Sequence, residues 1–180
     1  MKLPVLSPAG AAFVGAFEGF EAVCYDDGGR PGSGNCTIGY GHLVHYGPTS
    51  DVDRRRWGAI TRAQAARLLQ RDAHTALYGI ERHVTIRLTQ NEVDALCSFA
   101  YNCGADALAG GVGEAVNSKP RIPTPSRLAR WRARVAAALA RWDHAGGVEL
   151  AGLKRRRQAE AVLFATGRYT LRQHNPYANA

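Results

Sequence analysis

The sequence predicts an α+β fold, mainly α, with a small three-stranded antiparallel sheet in an N-terminal lobe and a larger helical lobe after it. Three observations carry this. Residues 17–42, FEGFEAVCYDDGGRPGSGNCTIGYGH, hold short β-prone runs separated by Gly-rich turns. Two capping boxes, Thr61-x-x-Gln64 and Thr89-x-x-Glu92, each open a run with apolar residues at helical spacing. Ser7-Pro8 and Thr124-Pro125 start two more helices, since a hydroxyl caps and Pro suits the first helical position.

Taken in order, Phe13, Phe17 and Phe20 lie on one face of a first short helix, with Glu18 in its last turn and Gly19 as its stop. Residues 23–25, 36–40 and 43–45 read as strands. The Gly-rich run 28–35 joins the first two, and Gly41-His42 turns the second into the third. Residues 48–53 read as a loop, and Arg54-Arg55-Arg56 as a solvated run. A long helix from Thr61 to about Arg82 carries Ala66, Leu69, Ala73, Leu77 and Ile80 on one face and can span between the lobes. The helix after Thr89 carries Val93, Leu96, Phe99 and Ala100, ends at Gly104, and is the expected core helix. Residues 105–117 make a weak helix loosened by three glycines, and 118–125 a Pro-rich loop. Leu128, Trp131, Val135, Leu139 and Trp142 form an apolar stripe that Gly146-Gly147 ends. A last helix runs from Leu153 to about Ala165 with Gly167 as its cap, and 173–180 read as a disordered tail. The whole is one domain: small lobe about 12–60, interlobe helix about 61–82, helical lobe about 89–168.

A chain of 180 residues with 46% hydrophobic and 21% charged residues can bury a core without metal or disulfide support. Its net charge of +8 favours an anionic partner: nucleic acid, acidic lipid or an anionic cell-wall polymer. The N-terminal residues are too short and too broken by Pro4 and Pro8 for a transmembrane helix, and make a poor secretory signal, so a cytoplasmic origin is expected. Cys24, Cys36, Cys97 and Cys103 form no CxxC pair and show no zinc-like spacing with His, so no metal is expected. Cys97 and Cys103 read as buried thiols. Cys24 and Cys36 flank the hairpin and could lie opposite one another, which leaves a disulfide open.

The chemistry concentrates in residues 17–42. Glu18 at a helix C-terminus faces the negative end of the dipole, which disfavours its charged form, the direction a general acid needs. Asp26 and Asp27 follow, and Thr37 adds a hydroxyl beside a tight Gly turn. Two carboxyls in different surroundings are the equipment for cleaving a sugar chain.

This stretch resembles the phage-type lysozymes, the endolysins of glycoside hydrolase family twenty-four. Their signature is a Glu, eight residues, an Asp, five residues and a Thr, then Ile-Gly-x-Gly-His. Glu18 and Asp27 keep the first gap, and Thr37-Ile38-Gly39-Tyr40-Gly41-His42 matches the end. The second gap is nine residues, so the hairpin is lengthened and the choice between Asp26 and Asp27 stays open. Ser98-Phe99-Ala100-Tyr101-Asn102-Cys103-Gly104 is similar to the family's core-helix motif. Leu150-Ala151-Gly152-Leu153 with Arg155-Arg156 is similar to its C-terminal motif. The likeness covers most of residues 10–168 and is poor from Gly110 to about Arg134.

The resemblance implies a lysozyme-like two-lobed fold and hydrolysis of the β-1,4 bond between N-acetylmuramic acid and N-acetylglucosamine in peptidoglycan. It assigns Glu18 as acid and Asp27 as base, with Thr37 holding the attacking water and inversion as the outcome. It pairs His42 with Asp72 as a structural salt bridge and places Arg156 near the catalytic Glu. Tyr40, Tyr101, Asn102 and Arg156 are expected at the sugar cleft. No cofactor is needed. A monomer is expected, held in the host cytoplasm until a holin releases it to the wall, with the basic C-terminal region available to anionic envelopes. Two rivals remain: a lytic transglycosylase, which Asp27 and Thr37 argue against, and a nucleic-acid or membrane module built on the Arg/Trp helices. In the latter, Trp131, Val135, Leu139 and Trp142 share one face, which favours core packing over nucleic acid.

Overall fold

The computed structural model describes residues 4–170. The fold is mainly helical with a three-stranded antiparallel sheet, as the sequence predicts. Helix α1 (Pro8–Gly15) starts where the Ser7 hydroxyl accepts from Gly10 N–H. Strands β1 (Glu21–Asp26), β2 (Cys36–Gly39) and β3 (His42–His45) then pair in the order β1-β2-β3. Gly39 takes φ +71°, and a Cβ there would meet Ala65 Cβ at 3.0 Å, so the strand requires Gly on both counts.

Where a loop is expected, the chain folds into α2 (Asp51–Trp57). Ser50 and Asp53 form a capping box, a signal hidden by reading Pro48 to Asp53 as turn residues. Arg54, Arg55 and Arg56 are exposed on it, as expected. The long interlobe helix is divided into α3 (Arg62–Asp72) and α4 (His74–His83). Ala73 keeps φ −64° but flattens to ψ −5°, so the axis breaks while Leu77 N–H still bonds the Ala73 carbonyl at 2.9 Å. Nothing in the apolar pattern marks this break.

Helix α5 (Gln90–Cys103) is the core helix: Val93, Ala95, Leu96, Cys97, Phe99 and Ala100 are all buried. A 3₁₀ turn (Ala105–Leu108) and α6 (Gly111–Asn117) replace the single weak helix. Helix α7 (Pro125–Ala140) buries Trp131, Val135 and Leu139, whereas Trp142 lies beyond its end, 40% exposed, with its ring edge-on to Phe99. Gly146-Gly147 does more than end a helix. With φ +58° and +80° it turns a short hairpin, β4 (His144–Ala145) and β5 (Val148–Glu149). Helix α8 (Ala151–Thr166) ends at Gly167 in the left-handed region. The tail expected at 173–180 lies outside the described residues.

The apolar side chains form two cores. The small one gathers Cys24, Cys36, Ile38, Ile60, Ala65 and Leu68; the large one is helical. Ala11, Phe13 and Val14 of α1 join the large core. Tyr40 touches both cores.

One buried carboxylate ties the ends of the chain to its centre. Asp94 accepts from Ser7 N–H and Oγ, from Gln90 Nε2 and from Tyr169 Oη at 2.7 Å. A Cβ on Gly10 would meet the Asp94 side chain at 2.5 Å, so α1 approaches this close only with Gly there.

Two substitutions test the burial ledger by urea unfolding. Phe99→Ala is expected to cost ~3–5 kcal/mol, because the large core closes completely around the ring. Tyr78→Ala, at a 61% exposed ring, should change stability by no more than about 0.5 kcal/mol.

Candidate active site

Glu18 lies past the end of α1, in a turn closed by Phe17 N–H on the Val14 carbonyl at 2.9 Å. This corrects its expected place in the helix's last turn: the α-helix stops at Gly15, where a Cβ would strike the Tyr40 ring at 2.9 Å. Glu18 is held by a guanidinium rather than by the helix end. Arg156 Nη1 donates to Glu18 Oε1 at 2.8 Å. Among the described residues Glu18 Oε2 has no hydrogen-bond partner, and the side chain is half-buried.

Arg156 is 4% exposed. It donates to Glu18, to Glu160 Oε1 at 3.3 Å and to the Ser98 carbonyl at 3.2 Å, and lies over the Phe17 ring. Expected at the sugar cleft, it is instead committed to protein acceptors. Glu160, fully buried, also accepts from Ser98 Oγ at 2.7 Å and Arg157 Nη2 at 2.9 Å. Arg157 Nε sits 2.7 Å from Glu160 Oε2, an ion contact too bent to be a hydrogen bond. Burial pushes the Glu160 carboxyl up, opposed by the two guanidiniums and Ser98. The sequence carried one signal for this network: Arg156 and Arg157 precede Glu160 by four and three residues, the helical pairing distances.

Asp26 ends β1 and Asp27 follows it, each with different partners. Asp26 accepts from Gly32 N–H at 2.6 Å and from Thr49 N–H, and these bonds, Thr49 first, hold its carboxyl below the usual range. It pins the lengthened loop. Asp27 accepts from Asn35 N–H at 2.7 Å, Asn35 Nδ2 at 3.3 Å and Thr37 Oγ1 at 3.4 Å. A Cβ on Gly34 would lie 2.2 Å from Asp27 Oδ1, so the loop reaches Asp27 only through Gly. Thr37 is 3% exposed, and its hydroxyl also meets the Asn35 carbonyl at 3.3 Å. Asp27 is therefore the carboxylate joined to Thr37.

Tyr25 belongs to the same neighbourhood and was not foreseen. Burial pushes its phenol up, followed by the charges of Glu21, Asp27 and Glu18. Its place in β1, two residues before Asp27, could have marked it. Tyr101 is pushed up to about 12 by burial, then by Glu18 and Asp72. Asn102 is exposed, with Oδ1 accepting from Arg157 Nη2 at 3.1 Å. Tyr40 packs on Gly15 and Phe20, and Arg62 Nη1 meets its hydroxyl at 3.5 Å. His42 Nδ1 lies 2.9 Å from Asp72 Oδ2, joining β3 to the end of α3.

Cys24, Cys36, Cys97 and Cys103 are free thiols, so the bridge left open between the first two is not formed here. Cys97 is buried as expected, and burial pushes it up to about 12. Cys103 is half-buried and accepts from Arg157 Nη1. Among the described residues no helix is long and apolar enough to cross a membrane.

Residues 15–160 match the family model described as phage lysozyme. An endolysin of Bacillus phage PZA is 35% identical over 162 residues, covering 90% of this chain and 55% of the relative. The chain thus spans about half the length of this and several other curated relatives it matches. Among solved structures, the endolysin from Escherichia coli O157:H7 phage FAHEc1 is similar with TM-score 0.68 and 29% identity, covering 95% of this chain and 98% of that one. The muramidase domain of SpmX from Asticaccaulis excentricus is similar with TM-score 0.63 and 29% identity, covering 88% and 96%.

Glu160→Gln should destabilise the fold by ~3–5 kcal/mol in urea unfolding, since it leaves two buried guanidiniums short of a charge. Arg155→Ala, on the exposed side of the same helix, should stay within about 0.5 kcal/mol.

Proposed function

The chain belongs to the phage lysozyme family, and on that premise we propose that it is an endolysin with muramidase activity. Its reaction is hydrolysis of the β-1,4 bond between N-acetylmuramic acid and N-acetylglucosamine in peptidoglycan. The observation that supports it best is the separate treatment of two carboxyls: Glu18 held through one oxygen by Arg156, Asp27 joined to the Thr37 hydroxyl. The name of the SpmX muramidase domain points the same way.

Glu18 is the general acid. With Oε1 committed to Arg156, Oε2 is the oxygen left to carry the proton to the glycosidic oxygen. Asp27 is the general base. A water between Asp27 Oδ2 and Thr37 Oγ1 loses its proton to Asp27 as it attacks the anomeric carbon from the opposite face, which inverts the configuration. Asn35 fixes the Asp27 carboxylate through two donors, so the base turns little on approach of the sugar. Arg156 is a positioning residue, acting through Glu18. Tyr101 and Asn102 border Glu18 and Arg157 and supply an aromatic face and an amide for sugar contacts.

The enzyme works as a monomer on the cell wall, released there from the host cytoplasm through a separate pore. Arg127, Arg130, Arg132 and Arg134 of α7 are exposed and give a positive surface toward an anionic envelope. Lysis frees the phage.

Turnover of purified peptidoglycan tests the assignment. Glu18→Gln and Asp27→Asn should each lower the rate by ~10²–10⁴-fold, whereas Asp26→Asn, which keeps the Asp27–Thr37 contact, should lower it far less. Product analysis should give reducing ends of inverted configuration. A 1,6-anhydro end would instead identify a transglycosylase, and wild-type turnover by Glu18→Gln would remove the acid from its role.

A further inference from the structure

The register of the small sheet brings together side chains that lie far apart in sequence. Cys36 on β2 stands opposite His45 on β3 and Asp26 on β1. Cys36 Sγ, His45 Nε2 and the Asp53 carboxylate lie within 4.8 Å of one another. The Cys24 sulfur on β1, also buried, adjoins Cys36 and is 4.0 Å from the Asp53 carbonyl. None of these four groups touches Glu18, Asp27 or Thr37 among the described contacts. The expectation of no metal rested on sequence spacing, and the ligand types arrive instead through strand pairing.

We propose that Cys24, Cys36, His45 and Asp53 bind one zinc ion, as a structural clip on the small lobe. Two sulfurs, an imidazole and a carboxylate are a zinc donor set of the closed, tetrahedral kind. The His45 ring has the bearing of a ligand. Its Nδ1 is 2.9 Å from the Tyr46 carbonyl, which can only accept, so Nδ1 carries the hydrogen. Nε2 is then the outward nitrogen, 3.1 Å from Asp53 Oδ2. A ligating His is held from behind by a backbone carbonyl in this same way. Asp53 Oδ2 also accepts from Ser50 N–H and Oγ, which fixes the carboxylate, while Oδ1 has no partner among the described residues. Both sulfurs are buried, whereas the His45 side chain is 41% exposed and offers the route in.

The clip has a physical purpose. The small core holds six buried side chains, so a further tie between its strands adds to a limited apolar contact. The ion would join β1, β2, β3 and the first turn of α2. Binding would release the thiol protons to solvent and raise the thermal midpoint with free zinc.

The test uses the full chain without an affinity tag, kept reduced by a phosphine and stripped by a chelator. Cobalt(II) should give tetrahedral ligand-field bands and a sulfur-to-cobalt charge-transfer band, both abolished by one equivalent of zinc. Equilibrium dialysis should find one zinc per chain. Cys36→Ser should lose the charge-transfer intensity of one sulfur, and His45→Ala, at the exposed ligand, should weaken zinc binding by at least roughly 10–100-fold. If Cys36→Ser fails to fold by circular dichroism, the wild-type cobalt spectrum and His45→Ala still decide. Absence of the charge-transfer band in folded, reduced wild type would overturn the clip. So would zinc binding unchanged in His45→Ala. Neither readout depends on turnover, so the outcome is independent of the muramidase assignment.

Discussion

The interaction on which the rest depends is the enclosure of Glu160 between Arg156 and Arg157. A carboxylate with no exposure is costly unless its charge is met, and here two guanidiniums and the Ser98 hydroxyl meet it. The arrangement locks α8 onto α5, because Ser98 lies on one and the arginines on the other. It also leaves one nitrogen of Arg156 for Glu18. Glu18 is therefore aimed by an ionic cluster in the helical core, and the turn after α1 only has to deliver it there. Removing a member would disturb packing and chemistry together, which sets apart the role of Arg156 from that of the solvated Arg155.

Asp27 is placed by different means. It sits beyond the end of a strand, at the start of a lengthened loop that needs anchoring. Asp26 anchors it by binding Gly32 and Thr49 N–H groups, while Gly34 lets the returning chain pass against Asp27. Two adjacent carboxylates thus divide the work: one organises the loop, the other is left beside Thr37. The small sheet is in turn seated on α3 through Gly39 and Ala65, and on the end of α3 through His42 and Asp72. Glu18 is held from the helical core and Asp27 from the sheet loop, while Tyr40 and this salt bridge join the two sides.

Much of this was legible in the sequence, where a feature had a local cause. The capping boxes at Thr61 and Thr89 and the Pro-started helices at Pro8 and Pro125 appear where the backbone rules put them. The pairing of β1, β2 and β3 followed from Gly turns and β-prone runs. What escaped was set by contacts distant in sequence. The break at Ala73 has no Gly or Pro to announce it. Glu18 falls outside α1, and Arg156, distant in sequence, holds it. The choice between adjacent Asp26 and Asp27 stays open in sequence, and their partners, Gly32 and Thr49 for one, Asn35 and Thr37 for the other, separate them. Cys36 and His45 likewise meet by strand register rather than by spacing, and Asp53 joins them from α2.

Asp94 has a consequence that belongs to polymer physics. It gathers Ser7 from one end of the described chain and Tyr169 from the other onto a single helix buried in the middle. Closing so long a loop costs only slightly more entropy than closing a short one, because the cost grows as the logarithm of length. Chain ends are where folds ordinarily fray and where proteases first gain a foothold. Here both flanks are fastened to the innermost helix, so local fraying is coupled to the stability of the whole core.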